Sequence, residues 1–173
     1  RCLTSWLDQD YAGPLQFLFV VADSSDPIVP LVQRLIAAHP HRDARLLIFP
    51  QQVGANAKVS KLAQAEGQIV HDLVLVSDAD VLAPSDLLSQ IVLPLQDGGV
   101  SLVHSFYRLA NPSNTAMEWE ATATNADFWS QVLQSRTLAP MDFALGAAML
   151  LRRSALEGIG GFRALADYLA DDF

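Results

Sequence analysis

Cysteine is almost missing from this 173-residue chain: Cys2 stands alone. A single thiol excludes an internal disulfide and a thiolate zinc centre, and it leaves a reducing environment allowed. Positive charge is scarce as well. Eleven Lys and Arg face 19 acids, for a net charge of −8. That balance argues against a nucleic-acid binder, which would show a basic face, so nucleic acid is not expected as a partner. Glutamate is rare, since 15 of the 19 acids are Asp. Asp is a poor helix and strand former but serves loops, caps and metal sites. No apolar run approaches the ~18 residues of a membrane span, and no signal-peptide pattern is present. Gly-x-Gly-x-x-Gly and Gly-x-x-x-x-Gly-Lys are both absent, which disfavours a Rossmann dehydrogenase and a P-loop NTPase.

What is present is apolar: 51% of the chain, ample for one α/β core and too little chain for two domains. Residues 15–22 form a β-rich run that stops at Asp23-Ser24-Ser25-Asp26-Pro27. Ile28, Val32, Leu35 and Ile36 then recur at helical spacing. A second strand is expected over 45–49, and a short helix carrying Val59, Leu62 and Ala63 follows a polar loop at 51–56. Residues 72–77 read as a third strand ending at Asp78-Ala79-Asp80, with Pro84 suited to the first turn of the next helix. Strands near 100–106 and 147–151 bracket a long helical stretch, 115–135. A short helix and a last helical turn ending at Asp171-Asp172 complete the chain. The alternation in the first half predicts βαβ units and a parallel sheet, whose ligands sit beyond the carboxyl ends of the strands.

Asp78-x-Asp80 is weak as a string, because Asp8-Gln9-Asp10 duplicates it. Context separates them: only the Asp78 pair follows a buried strand directly. Two carboxylates there suit a hard divalent cation while leaving positions for diphosphate oxygens; a helix cap before Pro84 is the plainer reading. Asp23 and Asp26 fit either a ligand site or an Asx turn. Lys58 either lends a point charge to a diphosphate or is a solvated surface lysine. Asp167 and Asp171, four apart on the expected helix, would repel and favour a raised carboxylate pKa, suiting a general base at Asp171-Asp172. A solvated helix end explains the same residues. His39, His41, His71 and His104 show no ligand spacing and read as surface or core residues.

Taken in order, Gln9-Asp10-Tyr11, Asp23-Ser24-Ser25-Asp26-Pro27, Gly54-Ala55-Asn56-Ala57-Lys58-Val59-Ser60, Ser77-Asp78-Ala79-Asp80-Val81, Leu151-Arg152-Arg153-Ser154-Ala155-Leu156, Gly160-Gly161-Phe162 and Leu165-Ala166-Asp167-Tyr168-Leu169-Ala170-Asp171-Asp172-Phe173 resemble the ceramide glucosyltransferases of glycosyltransferase family 21. The likeness is strongest to their bacterial, hopanoid-biosynthesis-associated branch and weakest across 110–145. It implies a GT-A (nucleotide-diphospho-sugar transferase) fold, an α/β architecture with a mostly parallel sheet flanked by helices. It also implies inverting transfer of a hexose or N-acetylhexosamine from a UDP-sugar to a lipid hydroxyl of ceramide or hopanoid type, with Mg²⁺ or Mn²⁺. By the same resemblance, Asp26, Lys58 and Asp78 bind the nucleotide-sugar, Asp78 and Asp80 hold the metal, and Asp172 is the catalytic base.

Two family features are missing: the Gln-x-x-Arg-Trp motif after the third aspartate, and a first strand that would lie between 15–22 and 72–77. Residues 1–173 are therefore expected to be a single catalytic domain truncated at both ends. The resemblance further implies an integral membrane parent with this domain on the cytoplasmic side, associated with the membrane through parts lying outside this chain. Two rivals remain at this point. One is a haloacid dehalogenase-type phosphatase with Asp78 as nucleophile. The other is a non-catalytic lipid- or partner-binding module using the aromatic stretch around Trp119–Trp129, which would suit a membrane surface.

Overall fold

The computed structural model describes residues 1–139 and 143–168. A short helix α1 (Cys2–Leu7) comes first, too brief to show a period in the sequence. Strand β1 (Gln16–Val21) leads through the Asp23–Pro27 turns into α2 (Val29–Ala38), whose first turn carries Pro30. Proline suits that position because its missing N–H has no intrahelical partner there. Strand β2 (Asp43–Ile48) follows, and then α3 (Ala57–Ala65). The α3 start is set by Asn56, whose Oδ1 accepts from the N–H groups of Lys58 and Val59 at 3.0 and 3.1 Å. Strand β3 (Leu73–Ser77), α4 (Leu87–Ile91) and β4 (Leu102–His104) come next. Helices α5 (Thr115–Thr122) and α6 (Trp129–Leu138) are joined by a π-helical segment, Ala123–Phe128. Strand β5 (Ala148–Arg152), α7 (Arg153–Gly158) and a 3₁₀ turn (Phe162–Leu165) close the described chain.

β1 and β2 pair in parallel, from Gln16↔Asp43 to Val21↔Ile48, as the strand–helix alternation predicts. The second sheet has the order β3-β5-β4 and departs from that pattern, because β5 runs antiparallel to both neighbours. The reason lies in the return path. The chain leaves β4 after His104 and comes back beside the same residue, where the Leu145 N–H meets the His104 ring. A strand starting at the end where its neighbour finished must run the other way.

The apolar residues of β3 alternate between two cores, as period-2 side chains must when both faces are covered. Val74 and Val76 pack with Val59, Leu156 and Phe162 on one side. Leu73 and Leu75 lie against the cluster of Trp6, Leu88, Ile91 and Leu150 on the other. Buried Gln9 ties α1 into that second core: its Oε1 accepts from Leu88 N–H at 3.0 Å and its Nε2 donates to the carbonyls of Ser5 and Pro84. The Asp8-Gln9-Asp10 segment is thus a helix end held by its central residue. Asp8 reaches His39 at 3.3 Å.

Among the described residues β1 pairs on one edge only, and so does β3. Residues of both strands line one cavity of about 580 Å³, walled by Trp6, Phe17, Phe19, Leu73, Leu75 and Leu150. Two donors on its lining, the Trp6 indole N–H and the Gln16 Nε2 group, are buried with no partner among the described residues. Buried donors are nearly always bonded, so this slot is short of acceptors as well as of apolar atoms.

Candidate functional site

Ser77 ends β3, and the backbone of Asp78 still follows the sheet: its N–H donates to the Ala147 carbonyl at 3.0 Å. This fixes where the Asp78 side chain leaves the strand end. Lys58, in the first turn of α3, brings Nζ to 3.0 Å from Asp78 Oδ1. Both side chains are partly open, at 37% and 42% exposure, so the pair is worth at most about 1 kcal/mol to stability. Its interest is chemical: a cation already sits on one carboxylate oxygen at the carboxyl end of a strand. Lys58, Ser77, Asp78 and Ala79 line one end of the slot. On the other side of Asp78 is Gly146, where a Cβ would come 3.9 Å from Oδ2.

Asp80 is exposed two residues on, inside a turn closed by Val81 N–H to the Asp78 carbonyl. Among the described residues, the side chains of Asp26 and Asp80 make no hydrogen bond or ion pair with Lys58 or Asp78. Asp26 is half-buried in a turn of its own: Oδ1 accepts from Ile28 N–H at 2.9 Å, and its carbonyl accepts from Val29 N–H. The Asx-turn reading of Asp26 therefore holds locally. Exposed Asp23 is held below its ordinary pKa, first by the Ser25 N–H at 2.8 Å and then by the Ser25 hydroxyl. Among the described residues no group of three or more His, Cys, Asp or Glu could hold a metal ion.

The chain leading towards Asp172 is fastened next to Lys58. Asn56 N–H donates to the Ala166 carbonyl at 2.8 Å, Ala55 N–H to Asp167 Oδ1 at 3.1 Å, and Asn56 Nδ2 to the Tyr168 carbonyl at 3.1 Å. Gly54, at φ +80°, lets the two segments meet: a Cβ there would lie 2.5 Å from the Ala166 carbonyl oxygen. Only glycine accepts both that φ and that approach. Asp167 accordingly stands in a turn after the 3₁₀ segment, its carboxylate engaged by Ala55, and not on the helix expected from its spacing to Asp171. Asp171 and Asp172 lie outside the described residues.

One residue that the sequence reading set aside belongs to this neighbourhood. His104 accepts the Leu145 N–H on Nδ1 at 2.8 Å, at the start of the Leu145–Ala147 arc that touches Asp78. Its pKa is pushed down by burial and, second, by the Arg136 charge. A lone histidine at a strand end carries no spacing signal, so no motif could have drawn attention to it.

The profile of glycosyl transferase family 21 matches residues 1–173. The chain belongs to that family. The ceramide glucosyltransferase of Candida albicans is 35% identical over 105 residues, covering 54% of this chain and 19% of that protein. An N-acetylglucosaminyltransferase of Rhizobium leguminosarum is 27% identical over 161 residues, covering 90% of this chain and 36% of its own length. Among solved structures, a mannosyltransferase from Pyrobaculum calidifontis, described in complex with GDP-Man and Mn²⁺, aligns with a TM-score of 0.67 at 24% identity over 92% of this chain and 42% of that one. This likeness supports the expected GT-A-like α/β fold. The family 21 chain thus spans about a fifth to a third of the curated relatives named here. Membership in the family turns the balance against the phosphatase and the non-catalytic module. Among the described residues no helix is long and apolar enough to cross a membrane.

Proposed function

We propose that this chain carries the donor-binding part of an inverting glycosyltransferase that moves a hexose or N-acetylhexosamine from a UDP-sugar to a lipid hydroxyl. The observation that carries this reading is the Lys58–Asp78 pair at the carboxyl end of β3. A cation and a carboxylate there match the needs of a diphosphate: Lys58 supplies a point charge to its oxygens, and Asp78 with Asp80 presents hard oxygens to a divalent ion. The donor set fits such an ion, since the Lys58 ammonium already stands in for a cation on Asp78 Oδ1. A bound Mg²⁺ or Mn²⁺ would neutralise charge on the departing diphosphate. The Mn²⁺ that accompanies GDP-Man in the mannosyltransferase complex supports the metal, and the ceramide glucosyltransferase relatives support a lipid acceptor. A hopanoid-type lipid is the bacterial variant of the same reading.

The residues then divide the work. Asp26, at the carboxyl end of β1, faces the nucleoside. Asp172 takes the proton of the acceptor hydroxyl as its oxygen attacks the anomeric carbon. The carbon–oxygen bond to the diphosphate breaks on the opposite face, which inverts the configuration, and UDP leaves. An ordinary Asp is a weak base, so this role requires a drier site than the open strand end provides.

Titration of the full-length parent with UDP, with and without Mn²⁺, tests the reading. Asp78→Asn is expected to lose the Mn²⁺-dependent part of UDP binding. Asp172→Asn is expected to keep UDP binding and lose transfer. Mn²⁺-independent binding, or transfer by the Asp172 variant, would overturn the assignments.

We further propose that residues 1–173 form part of one catalytic domain, completed by an extended strand in the slot between β1 and β3. The two unpaired strand edges, the apolar walls and the orphaned Trp6 and Gln16 donors all call for a segment rich in backbone acceptors. Purified residues 1–173 are expected to fold poorly and to be inactive. Robust turnover by that fragment would refute the proposal.

A further inference from the structure

We propose that His104 is a positioning residue for the donor grip, acting through the Leu145–Ala147 arc that backs Asp78. The inference rests on reading Asp78 as the donor-binding carboxylate. The arc is held at both ends. At one end His104 Nδ1 accepts the Leu145 N–H at 2.8 Å. At the other, the Ala147 carbonyl accepts the Asp78 N–H at 3.0 Å, and the Ser105 N–H reaches the next carbonyl, that of Ala148, at 3.1 Å. Gly146 lies between these ties, where an added Cβ would come 3.9 Å from Asp78 Oδ2.

His104 itself is rigidly placed. It is the last residue of β4, opposite Met149 of β5, and it is half-buried. Nδ1 can accept only in the neutral ring with the proton on Nε2. Burial and the nearby Arg136 both favour that neutral form. The ring is therefore a fixed acceptor on one strand, and its bond to the Leu145 amide sets the height of the arc. Lys58 meets Asp78 Oδ1, and the arc holds the Asp78 backbone through the Ala147 carbonyl. Between them they define the direction in which the carboxylate can face a ligand. Small misplacements of a binding group, on the order of 1 Å, can cost about 100-fold in rate.

The test compares two variants of the full-length parent. His104→Leu keeps bulk and removes the acceptor. His104→Asn keeps an acceptor oxygen near the Nδ1 position. Mn²⁺-dependent binding of UDP and the separate kcat and KM for the UDP-sugar are measured in both. His104→Leu is expected to weaken UDP binding roughly tenfold and raise the donor KM by a similar factor, while His104→Asn stays within about threefold of wild type. Equal impairment of the two variants, or no effect in either, would overturn the inference. Amide exchange at Leu145 in the unmodified protein gives a check free of any folding defect: slow exchange is expected, and rapid exchange sinks the proposal. Asp78→Asn serves as control. If it leaves UDP binding intact, the donor-site reading fails, and that failure is separate from any behaviour of the His104 variants.

Discussion

Gly54→Ala should loosen the fastening between the loop before α3 and the turn that leads towards Asp172. The position has φ +80°, and the added Cβ would stand 2.5 Å from the Ala166 carbonyl oxygen and 2.6 Å from the Ala166 Cβ. Holding alanine in that left-handed conformation costs about 1–2 kcal/mol. The contact is with backbone, so no side-chain rotation relieves it, and the 166–168 turn must back away. Retreat breaks or stretches three hydrogen bonds: Asn56 N–H to Ala166, Ala55 N–H to Asp167, and Asn56 Nδ2 to Tyr168. Two of these are exposed, which argues for the low end of the usual range, about 0.5 kcal/mol each. The sum is a destabilisation of about 3 kcal/mol. Urea unfolding of the full-length parent reads the loss, and hydrogen exchange over 162–168 locates it. Sugar transfer should fall with it, because Asp172 follows Tyr168 by four residues in the sequence. Stability within about 0.5 kcal/mol of wild type, with unchanged exchange over the turn, would refute the reasoning.

Gln9→Leu should destabilise the parent by about 1–3 kcal/mol, because it strands the buried Leu88 N–H; an unchanged midpoint in urea would show that α1 is not tied in through this residue. The pH dependence of stability should carry a His104 signature. Its folded pKa is depressed by burial and by Arg136, against an ordinary value of about 6.5 in the unfolded chain. The unfolded state therefore takes up the proton first as pH falls. The contribution of His104 is fully present above about pH 6.5 and declines below it until the folded-state value is passed. Unfolding midpoints of wild type and His104→Asn measured between about pH 5 and 8 should converge on acidification, and parallel curves would contradict the assignment.

The path of the chain explains which parts of this molecule were readable in advance. Runs such as Leu73–Ser77 and the Val29–Ala38 helix declare themselves through the spacing of their own side chains, because pleat and helical turn are local geometries. The same runs placed Asp78 at a strand end, and the order of the family motifs pointed to Lys58 as its companion. Where the sequence reading departed from the structure, the missing information was tertiary. Asp167 sits in a turn because Ala55, more than a hundred residues earlier, claims its carboxylate. β5 runs antiparallel because the chain re-enters beside His104. Neither contact leaves a trace in local periodicity. The amino-acid sequence by itself determined the strands, most of the helices and the family. Only the tertiary structure decided that Lys58 closes on Asp78 at 3.0 Å and that the Leu145 N–H meets the His104 ring. The physical reason is the same in each case: backbone geometry is set residue by residue, whereas a site is made by packing residues that the chain itself keeps far apart.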